Sequence, residues 1–275
     1  MRLDPQTYQF LSISITRNIA VATIDHPERK NAVRPGESGE LSRFLEEVGA
    51  DDDIHVAVLT GTGDVFCAGG GPDAIDLFRT DEDAFKVMHD NSRALVEAHI
   101  GLDKPVVTAM NGLAAGVGAA FGLFADFIVA DRSARFGDGH IRAGLVAGDG
   151  GALIWPLAVG MTRAKRYLLT GDWITADEAE RIGLVTEVVE DGQCLTRALE
   201  IAERLAQGPQ AAIRGTKRSL NQHYTVAMAA FDLSVELEGQ SFRDPQLGAL
   251  MDDLRSGKPA IPRDRRIGSA GSAKK

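Results

Sequence analysis

The sequence lacks several features that would place the protein in common functional classes. Its two cysteines, Cys67 and Cys194, are too few for a disulfide framework or a cysteine-rich metal cluster, and they suit a reducing compartment. Basic residues number 30 against 39 acidic ones, a net charge of −9, which argues against nucleic acid or an anionic membrane as the main partner. No apolar run approaches the roughly 20 residues of a membrane span. The first residues, MRLDPQTYQF, do not resemble a signal peptide, so we expect a soluble, cytoplasmic protein.

Cofactor motifs are also missing. The segment Gly116-Val117-Gly118 lacks the third glycine of a dinucleotide fingerprint, and no phosphate-binding P-loop motif is present. Five histidines show no metal-ligand spacing: His26, His55, His89, His99 and His223. We therefore expect neither a metal nor a resident cofactor.

The hydrophobic pattern predicts an α/β fold. Phe10–Thr16 and Ile19–Ile24 read as a hairpin, with Arg17-Asn18 as its turn. Short buried strands near Val56, Val106 and Phe127 are each followed by a glycine-containing turn, roughly the ββα rhythm of a repeating spiral. We predict a spiral core over residues 1–195, a helical region over 196–258 and a tail over 259–275 that is disordered at its end. The predicted C-terminal helices are Leu195–Gln207, Gln210–His223, Val226–Phe242 and Pro245–Arg255.

Two glycine-rich segments offer backbone rather than side-chain chemistry. Ala114–Ala120 has no polar side chain in seven residues, and Gly69-Gly70-Gly71 follows a strand-like segment. Small residues let a ligand approach the chain, and free N–H groups at the start of a helix can bind an oxyanion. Close helix packing through glycine is the alternative interpretation.

The order and spacing of several short motifs resemble the crotonase (enoyl-CoA hydratase/isomerase) superfamily. The resemblance runs from about Leu11 to Arg255. The motifs are Asp25-His26-Pro27, Asn31-Ala32, Phe66-Cys67-Ala68-Gly69-Gly70, Lys104-Pro105, Asn111-Gly112, Gly116-Val117-Gly118, Ala134-Arg135-Phe136-Gly137, Leu169-Thr170-Gly171 and Gly183-Leu184-Val185.

This resemblance implies a ββα spiral core and a helical trimerisation region, in a homotrimer or a dimer of trimers. It implies an acyl-CoA thioester substrate whose oxygen lies between the N–H groups of Gly70 and Val117, with coenzyme A entering as part of the substrate. The implied substrate- and CoA-binding residues are Arg29, Lys30, Ala32, Ala68, Gly69, Gly71 and Gly116, with Lys217 as a further candidate cation for the CoA phosphates.

The family's two usual glutamates are absent. Their positions read Ala120 and His140, and Asp149 lies nine residues beyond His140. An imidazole can act as a general base near neutral pH, with an aspartate to orient it. The His140/Asp149 spacing resembles that of β-diketone C–C hydrolases of the crotonase fold.

Structural roles remain open for these polar residues. Asp149 is also a plausible helix N-cap, and His140 a plausible hydrogen-bonded core histidine. We expect Asp138 to point away from the site if His140 points in. Glu236 and Glu238, on the C-terminal helix, could reach an active site, but a solvated helix face is the favoured interpretation for both.

Three functional hypotheses follow. The first is an acyl-CoA lyase or isomerase of the enoyl-CoA hydratase type, with His140 and Asp149 replacing the glutamates. The second is a C–C bond hydrolase of a β-diketone or β-keto thioester. The third is a non-catalytic CoA-binding protein.

Overall fold

The computed structural model describes residues 3–258; the predicted tail, 259–275, lies outside the described residues. Along this part of the chain the strands are Leu11–Thr16 (β1), Ile19–Ile24 (β2), Val56–Gly61 (β3), Val65–Cys67 (β4), Val106–Met110 (β5), Leu113–Ala115 (β6), Phe127–Asp131 (β7), Arg135–Gly137 (β8), Ile174–Thr175 (β9) and Glu187–Val189 (β10). The helices are Ser38–Ala50 (α1), Pro72–Thr80 (α2), Glu82–Gly101 (α3), Gly116–Leu123 (α4), His140–Ala143 (α5), Gly151–Val159 (α6), Met161–Thr170 (α7), Ala176–Ile182 (α8), Cys194–Ala206 (α9), Gln210–Phe242 (α10) and Leu247–Arg255 (α11). None of these helices combines the length and apolar character needed to cross a membrane.

These strands form two sheets, and from β3 to β8 successive strands belong alternately to the larger and the smaller sheet. The six-stranded sheet has the order β1-β2-β3-β5-β7-β10, and the four-stranded sheet has the order β4-β6-β8-β9. Only β1 and β9 pair antiparallel to their neighbours. The chain passes from the large sheet to the small one three times, as β3 then β4, β5 then β6, and β7 then β8, and each pass leads into a helix. The predicted α/β fold with a ββα core is confirmed.

The sequence pattern explains the strands. β3 and β5 are buried along nearly their whole length, as expected for parallel strands covered on both faces. The predicted hairpin is present, and its turn residues Arg17 and Asn18 have positive φ angles of 49° and 67°, as a two-residue hairpin turn requires.

The C-terminal region is helical, with one difference from the prediction. α10 is a single helix over 33 residues rather than two helices separated near His223. Tyr224, in the predicted gap, packs against Phe124 with ring centroids 5.7 Å apart. No proline or glycine interrupts residues 223–226, so the helix continues. α9 covers one face of the large sheet, where Ala198 and Ala202 join the apolar cluster of Val58 and Val107. The division at residue 195 stays a prediction.

The turn between β5 and β6 docks on the turn between β3 and β4. Asn111 Oδ1 accepts a hydrogen bond from the N–H of Gly61 at 3.1 Å, and Asn111 Nδ2 donates to the carbonyl oxygen of Gly63 at 2.9 Å. A Cβ atom at Gly112 would overlap the carbonyl oxygen of Asp64. Successive turns therefore stack backbone on backbone, where only glycine fits.

We expect Gly112→Ala to destabilise the protein by about 3 kcal/mol, because neither backbone can move away from the added Cβ. Thermal unfolding should then occur about 6 to 12 °C lower. Gly101→Ala is the matched control, since a Cβ there meets nothing within 4 Å, and its midpoint should stay within about 2 °C of the parent. Equal midpoints for the two variants would contradict the stacking.

Candidate active site

Three parallel strands bring the candidate segments to one edge of the small sheet. β6 pairs in parallel with β4 on one side and with β8 on the other. Because the carboxyl ends of parallel strands meet at the same edge, the chain leaves all three strands in one place. Ala68–Gly71 follows β4, Gly116-Val117 follows β6 and Asp138–His140 follows β8. The fold thus gathers segments that are far apart in the sequence.

The two glycine-rich segments touch each other through their backbones. Gly69 has φ +75°, and a Cβ there would lie only 2.6 Å from the carbonyl oxygen of Ala115. Gly116 has φ +51°, and a Cβ there would lie 4.0 Å from Gly69 Cα. Both positions have a left-handed conformation that favours glycine, and Gly69 also requires glycine for space.

The predicted oxyanion donors Gly70 and Val117 line the same pocket. Val117 is the second residue of α4, so its N–H has no carbonyl acceptor within the helix. Gly70 lies outside helices and ladder strands, and no hydrogen bond within residues 3–258 uses its N–H. Their role as donors stays a prediction, and the fold places both where a ligand can reach them.

The loop between β2 and α1 packs against the segment Ala68–Gly71. Its cations are arranged differently from the expectation. Arg29 is only 13% exposed in its side chain and forms two bonds to Glu37, at 2.7 and 2.9 Å. Lys30 is exposed, and its carbonyl oxygen accepts a hydrogen bond from the N–H of Ala68 at 3.2 Å. Arg34 is exposed and lines the pocket, unlike Arg29, Lys30 and Ala32.

Lys217 is occupied elsewhere. Its side chain is buried and lies 2.7 Å from Asp126 Oδ2, and it also donates to the carbonyl oxygen of Lys104 at 2.8 Å. The suggestion that Lys217 contacts the CoA phosphates is therefore wrong.

His140 is the centre of a buried polar cluster. It is the first residue of α5 and is 9% exposed. Its Nδ1 lies 2.6 Å from Asp138 Oδ1, and its Nε2 lies 3.2 Å from Asp149 Oδ2 and 3.5 Å from Glu238 Oε1. The expectation that Asp138 points away was wrong: Gly139 has the helical angles φ −84°, ψ −7°, which bend the Asp138 carboxylate back to the ring.

Asp149 faces the pocket instead of capping a helix. The N-cap of α6 is Gly150, with φ 100°, and no side chain caps that helix. Asp149 Oδ1 instead accepts a hydrogen bond from Ser92 Oγ, on α3, at 3.2 Å. Ser92 and His140 therefore hold the two oxygens of this carboxylate.

Glu238 is the residue that sequence reasoning missed. It is 4% exposed and lines the pocket. We expected both Glu236 and Glu238 to be exposed, and only Glu236 is. The signal was present in the helix period: Phe231, Val235, Glu238 and Phe242 recur at spacings of four, three and four residues, and all four are buried. A glutamate on that stripe faces the interior.

Glycines leave space for the carboxylates of this cluster. A Cβ at Gly148 would overlap Glu238 Oε2, and a Cβ at Gly151 would overlap Asp138 Oδ2. A Cβ at Gly116 would lie 3.7 Å from Asp149 Oδ2 and 3.9 Å from His140 Cε1. The cluster thus lies directly against the second glycine-rich segment.

The pKa values of His140, Asp138 and Glu238 are shifted in different directions. Burial would lower the pKa of His140, but the charges and hydrogen bonds of Asp138 and Asp149 outweigh it and raise that pKa well above its usual value. Burial would raise the pKa of Asp138, but the charge and hydrogen bonds of His140 lower it. Burial and the charge of Asp149 raise the pKa of Glu238 well above its usual value. These directions favour the imidazolium form of His140 and the protonated form of Glu238.

His140, Asp149 and Glu238 also offer ligand atoms within 4.8 Å of one another. A metal ion needs the neutral imidazole, whereas the surrounding carboxylates favour the imidazolium. The donor set therefore fits proton transfer better than metal binding.

Ala120 contributes no polar group. It is buried in α4, where the resemblance led us to look for a glutamate. The ionisable side chains that line the pocket instead come from α5, α10, the segment before α6 and, at Arg34, the segment before α1. The pocket holds about 990 Å³ of empty space, part of it open to solvent.

Comparison with known proteins places the chain in a family. Residues 14–246 match the family model described as enoyl-CoA hydratase/isomerase, and the chain belongs to that family. It is 32% identical to an (E)-benzylidenesuccinyl-CoA hydratase of Thauera aromatica, over 76% of this chain and 81% of that protein. It is 31% identical to a 1,2-epoxyphenylacetyl-CoA isomerase of Escherichia coli, over 92% and 95%. A crystal structure of an enoyl-CoA hydratase/isomerase from Mycobacterium paratuberculosis superposes with a TM-score of 0.85 at 31% identity, covering 89% of this chain and 98% of that one. The chain is thus an acyl-CoA enzyme of the crotonase superfamily.

Glu238→Gln tests the proton distribution through stability. Unfolded glutamate ionises near pH 4.5, but folded Glu238 keeps its proton to higher pH, so its contribution to stability falls as pH rises from there to the folded pKa. The variant escapes this loss, so its free energy of unfolding relative to the parent should rise with pH above 4.5, by at most about 1.4 kcal/mol per pH unit, and its melting temperature relative to the parent should rise with it.

The matched control is Glu236→Gln, an exposed glutamate on the same helix. Its difference from the parent should not change with pH. A pH-independent difference for Glu238→Gln as well would show that Glu238 is not held protonated.

Proposed function

We propose that the protein is an enoyl-CoA hydratase/isomerase-type enzyme in which the cluster around His140 replaces the two usual glutamates. The single observation that carries this is the placement of Asp149 and His140 within 4 Å of a Cβ position at Gly116, beside the candidate donor Val117. The hydratases and the isomerase among the relatives support the reaction class.

The thioester oxygen lies between the N–H groups of Gly70 and Val117 in this proposal. Both donors are rigid backbone groups, aimed at the position where negative charge develops as the enolate forms. Ala68, Gly69 and Gly116 form the surrounding wall and admit the thioester because they carry little or no side chain, and Gly71, which does not line the pocket, joins this wall to α2.

Asp149 is the base, because the imidazolium form of His140 is unsuited to accept a proton. In hydration, Asp149 takes a proton from water, the hydroxyl group adds to the β-carbon, and the double-bond electrons move onto the thioester oxygen. Glu238 gives its proton to the α-carbon of the enolate, and the proton taken by Asp149 returns to Glu238 through His140. Atoms and charge balance, and one ionised and one protonated carboxyl group perform the two proton transfers.

The CoA phosphates need cations, and Lys30 and Arg34 are exposed where Arg29 is paired. We propose these two as the phosphate contacts, with Arg29 fixing the loop through Glu37. Coenzyme A then enters only as part of the substrate, and no other cofactor takes part.

A homotrimer or a dimer of trimers remains part of the proposal. α10 exposes Leu220, Val226 and Leu233, whose side chains are more than half exposed in the single chain. Apolar residues on one long helix are suited to contact another copy of the chain.

A second candidate reaction is hydrolysis of a C–C bond in a β-diketone or β-keto thioester. It is favoured by one observation: a single imidazole lies between two carboxylates, Asp138 and Asp149, instead of two glutamates facing each other. Water activated by Asp149 would add to one carbonyl carbon, and the bond from that carbon to the central carbon would break. The electron pair leaves as an enolate, which is protonated, so the products are a carboxylic acid and a ketone or thioester.

Turnover of a panel tests the class of reaction. The panel contains enoyl-CoAs of several lengths and cyclic β-diketones, followed by mass spectrometry. Addition of one water to an enoyl-CoA, or movement of its double bond, supports the first function, and cleavage of a diketone supports the second. Binding of CoA esters without turnover of any compound would favour the non-catalytic hypothesis.

Comparing Gly70→Pro with Gly70→Ala distinguishes loss of the N–H donor from the effect of adding a side chain to the loop. A Cβ at Gly70 meets only Ala74 Cβ, at 4.0 Å, so alanine fits and keeps the donor. Proline deletes it. We expect Gly70→Pro to lower kcat by about 100- to 1,000-fold and Gly70→Ala to retain most activity. If both variants turn over substrate equally well, Gly70 is not an oxyanion donor.

Asp149→Asn should lower kcat by a factor of at least about 100, because the amide cannot accept the proton from water. Binding of a saturated acyl-CoA should persist, and its dissociation constant shows that the pocket is intact. In the parent, kcat should fall at alkaline pH as Glu238 and His140 lose their protons. Undiminished turnover in Asp149→Asn would remove Asp149 from the mechanism.

A further inference from the structure

A third apolar cluster lies apart from the main core. Its buried members are Ala143, Leu145, Phe242, Leu247 and Met251, and partly buried members come from α2, α3 and the end of α11. The two larger clusters fill the space around the sheets. This one joins helices that surround the pocket.

Most of this cluster forms one wall of the pocket, which we call the apolar chamber. It is lined by Ile75, Phe78, Met88, Ala143, Phe242 and Leu254. The ionisable residues that line the whole pocket are Arg34, His140, Asp149 and Glu238. None of these four belongs to the apolar cluster.

The helices set the order of groups along a bound substrate. α2 begins at Pro72, two residues after Gly70, and carries Ile75 and Phe78. Ala143 lies three residues after His140 on α5, and Phe242 lies one turn after Glu238 on α10. Each element therefore carries a polar group of the reaction and then an apolar side chain farther along. The acyl group passes from the oxyanion segments, past the carboxyl groups, to the apolar chamber.

We propose that the apolar chamber selects acyl groups with a substantial uncharged hydrocarbon portion beyond the reacting carbons, a medium-length chain or a ring, over four-carbon or carboxylated acyl groups. The proposal rests on the acyl-CoA function proposed above. A four-carbon acyl group ends near the carboxyl groups and leaves the chamber to water. A second carboxylate on the acyl group would be desolvated without a cation from the chamber wall, and it would face the negative charge of Asp149.

Two phenylalanines provide a matched pair for testing the chamber. Phe78 and Phe85 are both half-buried, and both pack edge-on against Phe242, with ring centroids 6.0 and 5.6 Å away. Phe78 lines the pocket and Phe85 does not. Phe78→Ala and Phe85→Ala therefore both lose an edge-on contact with Phe242, but only Phe78→Ala removes a side chain that lines the pocket.

The experiment measures calorimetric binding of butyryl-CoA, octanoyl-CoA and the CoA monothioester of an eight-carbon dicarboxylic acid, which need no turnover. Each methylene should tighten binding about fourfold, so octanoyl-CoA should bind on the order of 100-fold more tightly than butyryl-CoA. The carboxylated ester should lose most of that gain. Phe78→Ala should reduce the octanoyl-to-butyryl ratio about tenfold, and Phe85→Ala should leave it unchanged.

Each outcome decides between the two proposals. Similar affinities for butyryl and octanoyl esters, or equal changes of the ratio in the two variants, would overturn the apolar chamber while leaving the acyl-CoA function intact. Tight binding of the carboxylated ester would overturn the exclusion of charged acyl groups. If no CoA ester binds, the acyl-CoA function itself fails, and the chamber proposal fails with it.

Discussion

The parallel pairing of β6 with β4 and β8 is the constraint on which the site depends. These strands are only three residues long each, yet their carboxyl ends deliver both glycine-rich segments and His140 to one edge. The pairing is possible because turn backbones stack with no side chain between them, as at Gly112 over Asp64. The small sheet thus brings backbone N–H groups and an imidazole together, while the larger sheet contributes most of the buried apolar residues that support it.

The cluster around His140 buries several ionisable side chains, and each partner changes the free energy of ionising its neighbours. Ionised groups are costly to bury, and a buried imidazole alone would lose its proton. Asp138 at one ring nitrogen and Asp149 at the other raise the pKa of His140, while burial and the neighbouring carboxylates raise the pKa of Glu238. The glycines at 148 and 151 let the carboxylates approach closely. The arrangement places carboxyl groups with opposite pKa shifts side by side, which suits the proposed proton transfer.

Much of the fold was predictable because its signals are local. The hairpin, the buried strands and the glycine turns each follow from a short stretch of sequence. For the site, the sequence predicted pocket residues only within or near the family motifs: Gly70, Val117, His140 and Asp149. Asp138 was misjudged because its direction depends on the bend at Gly139, and Glu238 because its helix had to be docked before its buried stripe acquired a partner. Long-range placement, rather than residue type, was the missing information.

The neutral acid and the apolar chamber are physically linked. Glu238 and Phe242 are one turn apart on α10, so the position that supplies a proton in the proposed mechanism also begins the hydrocarbon wall. An ionised glutamate there would draw water to the wall and weaken its affinity for hydrocarbon, whereas a protonated one leaves the chamber largely apolar. In turn, an apolar acyl group that displaces water from the chamber lowers the local dielectric and raises the cost of ionising Glu238. If Glu238 supplies the proton as proposed, substrate binding and retention of that proton reinforce each other, which a short acyl group would not achieve.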